Sequence, residues 1–370
     1  MQKKYFIPVI FLFLSSQVFS QITPSYLIGN TDLVSGFNYQ NWKIENDVPI
    51  SEFVVPLSSV TVVNRNFTVS ASTNTAYARL GSSNDNIFGF TDTRITGTYI
   101  TMENKLLLSG GISIPSGKTS IEQNQVAIAS AIAQYPLDFR IPSYGQGLTL
   151  NGNVSYALEL KGIILSAGVG GVYRKGFKPL FTSDSVYKPG SEFSVSAGTE
   201  LRPMGRDGTR FDIDASYTFY RADTYGGSEV LKSGRKFILN VRSVSQINNF
   251  GLLIFLRERS KGRNELGTGV LQLESKNSNG NQLDAGVTGS LTISRVVSFV
   301  SLVEYKYYSK NEYEDNGALI TGVGGGMNLT FSRSFLIDLQ YKYSFGSLRN
   351  KNSSTLINGY EISGGLRFNL

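Results

Sequence analysis

Asp212 and Asp214 are the residues of this chain best placed for acid–base chemistry. Set two apart in an extended segment, they lie side by side on one face and could share a proton. Arg210 falls on the same face, so the plainer reading is a pair of solvated acids beside a cation. The chain contains no histidine and no cysteine. That removes the usual general base, the Ser-His-Asp arrangement, imidazole and thiolate metal ligands, and disulfides. No catalytic residue, metal site or cofactor is therefore expected, and the chain is not expected to be an enzyme.

Two glycine-bearing segments fail as nucleotide sites. In Pro115-Ser116-Gly117-Lys118-Thr119 the phosphate loop needs a glycine five residues before Gly117, where Ile112 stands; Gly111 misses by one. In Gly322-Val323-Gly324-Gly325-Gly326 the third glycine of the dinucleotide pattern is replaced by Met327. Net charge is +7, with Lys3 and Lys4 contributing near the N-terminus. The basic residues are scattered among acidic ones, without the concentrated footprint of a nucleic-acid surface.

The elements that hold Asp212 and Asp214 are strands. From Phe211 to Phe219 apolar and polar residues alternate, with Phe211, Ile213, Tyr217 and Phe219 on one face. The pattern recurs: Phe193, Val195, Ala197 and Leu201 oppose Ser194, Ser196, Gly198 and Glu200, and Phe335, Ile337, Leu339 and Tyr341 oppose Asp338, Gln340 and Lys342. Aromatic residues make up 12% of the chain, Gly is 39 and Pro only 10. No run beyond the N-terminus approaches the ~18 apolar residues of a spanning helix, and mean hydropathy is −0.09. Residues 1–20 read as a secretory signal: Lys3 and Lys4, an apolar run over 6–14, then a small and polar tail ending in Ser20. Cleavage is expected before Gln21.

Connections alternate between short and long. Short ones fall at Asn64-Arg65, Met102-Glu103-Asn104, Lys161-Gly162, residues 204–208, Gln246-Ile247-Asn248, Ser294-Arg295 and Ser332-Arg333. Long ones are expected at 45–52, 78–90, 115–146, 174–190, 221–229, 259–280, 309–316 and 346–356. This parity predicts an all-β transmembrane antiparallel barrel with short periplasmic turns and long extracellular loops. Counting a hairpin for each short turn, with one strand before and one after, predicts about sixteen strands, with about fourteen as the fallback. The weakest strands are the first, at 33–43, and the one at 54–63. The expected organisation is a signal peptide (1–20), a periplasmic lead-in (21–32) and one barrel (33–370) in the outer membrane of a Gram-negative-type bacterium.

With lipid outside, the polar phase faces the lumen. Asp92, Arg94, Glu159, Glu200, Arg202, Asp212, Asp214, Arg242, Glu304, Lys306, Asp338 and Lys342 are expected to line a pore, with Lys236, Glu361 and Arg367 in the same phase. A salt-bridged, plugged interior is the alternative. Gly322, Gly324 and Gly326 share that face, where a loop or bulky neighbour could approach. The loop at 115–146 is too apolar for an ordinary outer loop. Its Val126, Ile128, Ile132, Tyr135, Leu137, Phe139 and Ile141 are expected to form a constriction or a docking surface for an apolar ligand, with helix over 121–133. Tyr360, Ile362, Leu366, Phe368 and Leu370 lie in one phase of the last strand. They resemble the C-terminal signal by which outer-membrane barrels are recognised for assembly, although Leu370 stands where that signal has an aromatic residue.

Phe90-Thr91-Asp92-Thr93-Arg94-Ile95, the segment 106–114 and Pro115-Ser116-Gly117-Lys118 together resemble a segment of outer-membrane channels for aromatic and other hydrophobic compounds, of the phenol-degradation MetA type. Those are similar to FadL-type fatty-acid channels, whose N-terminal plug sequence is not evident here. The resemblance implies passive uptake of small hydrophobic or amphipathic molecules. A general diffusion porin and a non-transport structural barrel are the alternatives. Expected partners are outer-membrane lipid, the assembly machinery and a small-molecule solute.

Overall fold

The computed structural model describes residues 30–370 apart from 46, 82–85, 102–104, 204–207 and 333. The expected signal, most of the lead-in and the turns at 102–104 and 204–207 lie outside the described residues.

Sixteen antiparallel strands close into a barrel. They are numbered here in chain order: β1 (Thr31–Ile44), β2 (Ile50–Val62), β3 (Phe67–Leu80), β4 (in two pieces, Asn86–Phe90 and Thr93–Thr101), β5 (Leu106–Ile114), β6 (Thr149–Leu160), β7 (Ile163–Arg174), β8 (Glu192–Leu201), β9 (Thr209–Tyr220), β10 (Lys236–Ile247), β11 (Phe250–Lys261), β12 (Gln282–Thr292), β13 (Val297–Tyr308), β14 (Gly317–Ser332), β15 (Phe335–Arg349) and β16 (Ser354–Asn369). Each pairs with its neighbours in sequence, and β16 returns to β1 from Asp32↔Asn369 to Ile44↔Ile357. Closure matters because a strand edge in hydrocarbon would leave N–H and C=O groups without partners.

The two-residue period sorts side chains as the alternation predicts. Phe211, Ile213 and Phe219 of β9 point outward and stay exposed, while Asp212 on the inner face is only 3% exposed. Phe211, Phe250, Phe299, Phe335 and Phe368 ring the short-turn end; Tyr173, Phe193, Phe219, Tyr305 and Tyr343 ring the other. Such aromatic girdles mark the two interfaces of a membrane barrel. Phe335 stacks on Phe368 at 5.0 Å and on Phe331 at 5.6 Å.

Several expected loops are shorter because the ladders run on past them. The pairs Gly346↔Ile357 through Arg349↔Ser354 extend β15 and β16 into the segment expected as loop 346–356. Trp42↔Ile50 and Ile50↔Leu80 do the same for 45–52 and 78–90. The loops on the β7–β12 side carry a second sheet, built from Tyr187–Lys188, Asp223–Tyr225, Ser228–Lys232, Glu265–Thr268 and Val270–Leu273.

The apolar core lies inside the barrel. Trp42, Ile44, Ile50, Val54, Ala76, Ala78, Ile87, Ile320 and Ile357 point inward and are buried. This explains the weak alternation of β2, whose inner face carries apolar Ile50 and Val54 on either side of Glu52, opposite the outer Phe53, Val55 and Leu57. Among the described residues no helix is long and apolar enough to cross a membrane.

The opposite faces of β6 give a direct test. Val154 points outward, and Ser155 points inward, where it accepts a hydrogen bond from the Asn153 amide at 2.9 Å. Val154→Arg is expected to destabilise the barrel in lipid by about 2–4 kcal/mol, and Ser155→Arg by about 1 kcal/mol or less. Urea unfolding in vesicles measures both; equal costs would contradict the assigned faces.

Candidate functional site

The interior is organised by the connection between β5 and β6. Its root is the segment that looked like a phosphate loop. Pro115 cannot donate to the ladder and ends β5 at Ile114. Ser116 Oγ then accepts the Thr93 N–H at 2.8 Å, and Lys118 N–H donates to the Phe90 carbonyl at 3.1 Å. Gly117 runs so close to the wall that a Cβ there would come within 2.7 Å of the Asp92 nitrogen. The Asp92 carboxylate accepts the N–H of Gly117 at 3.1 Å and of Gln146 at 2.8 Å, so one side chain holds both ends of the loop. Asp92 reaches this position because β4 is interrupted at Thr91, whose Oγ accepts the Asn74 N–H at 3.0 Å. Asp92 therefore fastens the loop root, a task different from the pore lining expected of it.

From the root the chain turns inward. Ile121 bridges to Leu180 of the β7–β8 loop. A short helix, α1 (Val126–Ile132), then packs on β2, β3 and β4. Ile128 and Ile132 are 1% exposed against Ala76, Ala78 and Ile87, and the two alanines leave the helix its room. The α-helix is shorter than the expected 121–133, mainly at its start, where Gln123–Gln125 form a 3-10 turn; a second 3-10 turn, Tyr135–Leu137, follows with Pro136 in its first positions. Leu137, Phe139, Ile141 and Tyr144 follow, all buried against the inner face.

Polar groups of the wall fix this return segment. Gln40 on β1 donates to the Asp138 carbonyl at 3.4 Å and accepts the Arg140 N–H at 3.1 Å. Both carboxylate oxygens of Glu52 receive the Ile141 N–H, at 3.3 and 3.2 Å. The Tyr144 hydroxyl donates to the Ile87 carbonyl at 3.1 Å. Arg140 sits in the field of Glu361, Glu52 and Asp338.

The turn of the loop reaches across the bore. Asp138 pairs with Lys306 of β13 at 2.5 Å. The Tyr135 ring meets Tyr308 of β13 edge-on at 5.9 Å and lies under the Arg259 guanidinium of β11 at 3.7 Å. In a closed barrel of sixteen strands, β3 and β11 face one another, so the loop spans the lumen. A narrow slot remains beneath it, lined by Trp42, Leu137, Glu304, Gly322, Lys342 and Glu361. Gly322 of the glycine run lines this slot, where the atoms nearest its missing Cβ belong to Ser344, Lys342 and Glu304 of the flanking strands. The β6–β8 part of the wall carries small polar residues: Asn151, Asn153 and Ser155 on β6, Ser166, Gly168 and Gly170 on β7, and Ser194, Ser196 and Gly198 on β8.

The expected pore-lining charges fall into separate groups. Glu304, Lys306, Lys342 and Asp338 lie around the loop, with Lys342 between Glu361 at 2.8 Å and Glu304 at 3.4 Å. Glu200 pairs with Arg202, Arg210 with Asp212 at 3.6 Å, and Arg242 with Asp214 at 3.7 Å. Asp212 and Asp214 thus each face an arginine rather than forming an isolated proton-sharing pair. Arg94 and Glu159 face inward on β4 and β6, away from both groups. Of the expected loop residues, Ile128, Ile132, Leu137, Phe139 and Ile141 are buried, Val126 is half-buried and Tyr135 is exposed to the lumen. Reading the sequence missed Gln40, Glu52, Asp138 and Arg140. The apolar inner phase of β2 around Glu52 was the one available signal.

Comparison of the sequence with family models, and separately with curated proteins, finds no match. Among solved structures the barrel is similar to a bacterial polysaccharide outer membrane secretin, with a TM-score of 0.47 and 7% identity over 93% of this chain and 100% of that one. It is also similar to the CymD monoaromatic hydrocarbon channel, at 0.43 and 10% over 93% and 89%. An outer membrane channel from Pseudomonas putida F1 gives 0.41 and 9% over 96% and 100%. These likenesses are too distant to bear on what the chain does.

Two outcomes follow from the docked loop. Leu137 is fully buried, so Leu137→Ala is expected to weaken docking by about 2–5 kcal/mol while sparing the barrel. Amide exchange should then rise across residues 121–141 and nowhere else; uniform protection would count against a separately docked loop. Crowding by the lumen wall disfavours a charged Asp138, but Lys306 outweighs it and holds the carboxyl below its usual range. Its contribution is therefore present above the ordinary carboxylate pKa of about 3.9 and is lost as pH falls through the lower folded value. Pepsin cleavage of the loop should increase over that acid range in the native protein, and the increase should be smaller in Asp138→Asn. An identical acid response in both proteins would show that the Asp138–Lys306 pair does not hold the loop.

Proposed function

We propose that the chain is a passive outer-membrane channel for small hydrophobic or amphipathic compounds, with the β5–β6 loop as its constriction. The observation that carries this reading is the loop crossing the bore, from its root at Asp92 to Tyr135 beneath Arg259. A structural barrel has no need to fill one side of its lumen with a loop and leave the β6–β8 wall lined by Asn, Ser and Gly. The apolar and aromatic loop favours a route for molecules with a greasy part, in keeping with the resemblance of Pro115-Ser116-Gly117-Lys118 and its neighbours to hydrophobic-compound channels. The exposed belt between two aromatic girdles supports a place in lipid. The outward row Tyr360, Ile362, Leu366, Phe368 and Leu370 is suited to recognition by the outer-membrane assembly machinery. The paired charges and small polar wall are compatible with a general diffusion porin, so the two routes need a direct comparison.

In planar bilayers the purified protein is expected to conduct ions weakly and to bind long-chain detergent or fatty acid. Replacing residues 121–141 by a short Gly-Ser linker should raise conductance several-fold. Large, steady conductance in the native protein would favour the porin. Unchanged permeability to every solute after the replacement would remove the channel reading altogether.

A further inference from the structure

One wall of the lumen carries charge that the interior does not neutralise. Arg257, Arg259 and Lys261 occupy successive inward positions of β11, and Lys236 of β10 stands directly opposite Lys261 in the ladder. Like charges facing one another across a strand pair are destabilising unless something negative comes between them. Elsewhere in the lumen Lys306, Lys342, Arg174 and Arg242 lie within 2.5–3.7 Å of carboxylates. Among the described residues, none of the four cations of this strip has a carboxylate within ion-pair distance. The acids nearby are engaged or too few. Glu274 receives the N–H of Asn264 at 2.7 Å and of Ser278 at 3.2 Å, and Asp223 receives the Tyr187 hydroxyl and the Gly190 N–H. Asp284 alone faces the strip from β12, beside Arg257 in the ladder.

The strip runs past the constriction. Arg259 is level with Tyr308, and the loop's Tyr135 touches both. Lys236 and Lys261 lie toward the long-loop end of this contact, and Arg257 lies beyond it. Aromatic faces accompany the cations: Tyr135 under Arg259, and Tyr220 with the Lys236 ammonium 5.7 Å from its centroid. A row of cations on a channel wall selects anions and draws them along it. Rings beside the cations offer surface to an apolar body.

Resting on the channel reading, we infer that the β10–β11 wall is a binding track for organic carboxylates with an apolar body. The carboxylate is handed from Lys236 and Lys261 past Arg259 to Arg257, while the apolar part slides along Tyr135 and Tyr308.

Benzoate and its uncharged counterpart benzyl alcohol serve as probes. The variant is Lys236→Gln/Arg257→Gln/Lys261→Gln, which leaves Arg259 in place on the loop. Calorimetric titration of the detergent-solubilised full chain needs no open pore. The native protein is expected to bind benzoate roughly tenfold more tightly than benzyl alcohol, and the variant to lose that preference. In bilayers with a KCl gradient the native channel should favour chloride, and the variant should shift toward potassium. Equal binding of the two probes by the native protein would overturn the track, and so would unchanged benzoate affinity in the variant. The first comparison requires no variant to fold. A native protein that conducts but does not prefer benzoate sinks the track and leaves the channel standing. One that prefers benzoate but is impermeable before and after loop replacement sinks the channel reading.

Discussion

The pairing of β16 with β1 is the contact on which the rest depends. In hydrocarbon an open ladder edge leaves backbone groups with no water to turn to, and the cost recurs at every residue of the edge. Closure removes it and sorts the side chains in the same act. One phase of each strand must be apolar to meet lipid. The inner phase is released from that demand and is free to carry charge, polar groups or a second apolar core.

This chain uses that freedom unevenly. Around β1–β4, β14 and β16 the inner face is apolar and receives α1 and the segment from Leu137 to Tyr144. Around β6–β8 it is Asn, Ser and Gly. The difference arises from a single connection. The β5–β6 loop begins at a proline that stops a strand, is gathered at both ends by Asp92, and carries enough apolar surface that water is a worse surrounding than the barrel wall. Gln40 and Glu52 then satisfy backbone groups that the loop would otherwise bury unpaired. Lumen charge is uneven as well: Lys306, Lys342 and Arg242 meet acids, while among the described residues Lys236, Arg257, Arg259 and Lys261 have no carboxylate within ion-pair distance.

The connectivity of the barrel was legible before any coordinates. A strand with lipid on one side and water on the other has to alternate, and Phe211 to Phe219 shows it plainly. A turn confined to one side of a membrane has to be short or long according to that side, and the turns at Lys161-Gly162 and Ser294-Arg295 keep the parity. The phase of Asp212, Asp214, Lys306 and Lys342 followed directly, because a slip of one residue would place each in hydrocarbon. Strand ends were less legible. β15 and β16 run on together beyond the bilayer through Arg349 and Ser354, where no lipid enforces a pattern.

What the sequence by itself determined was therefore the wall: strands, faces, the order of turns and the unusual apolar loop. Period two and the absence of water in lipid impose these locally, residue by residue. Only the tertiary structure decided where the loop goes and what it meets. Asp92 looked like one more inward acid, but a break in β4 turns it to the loop root. Glu52 fell in the expected loop 45–52, beside the least convincing strand, because its neighbours Ile50 and Val54 answer to the loop, about ninety positions away in sequence, and not to water. Arg259 came to lie on Tyr135 through closure of the whole barrel, which brings β3 and β11 face to face. Contacts across a bore depend on the number of strands between them, and no local pattern records that.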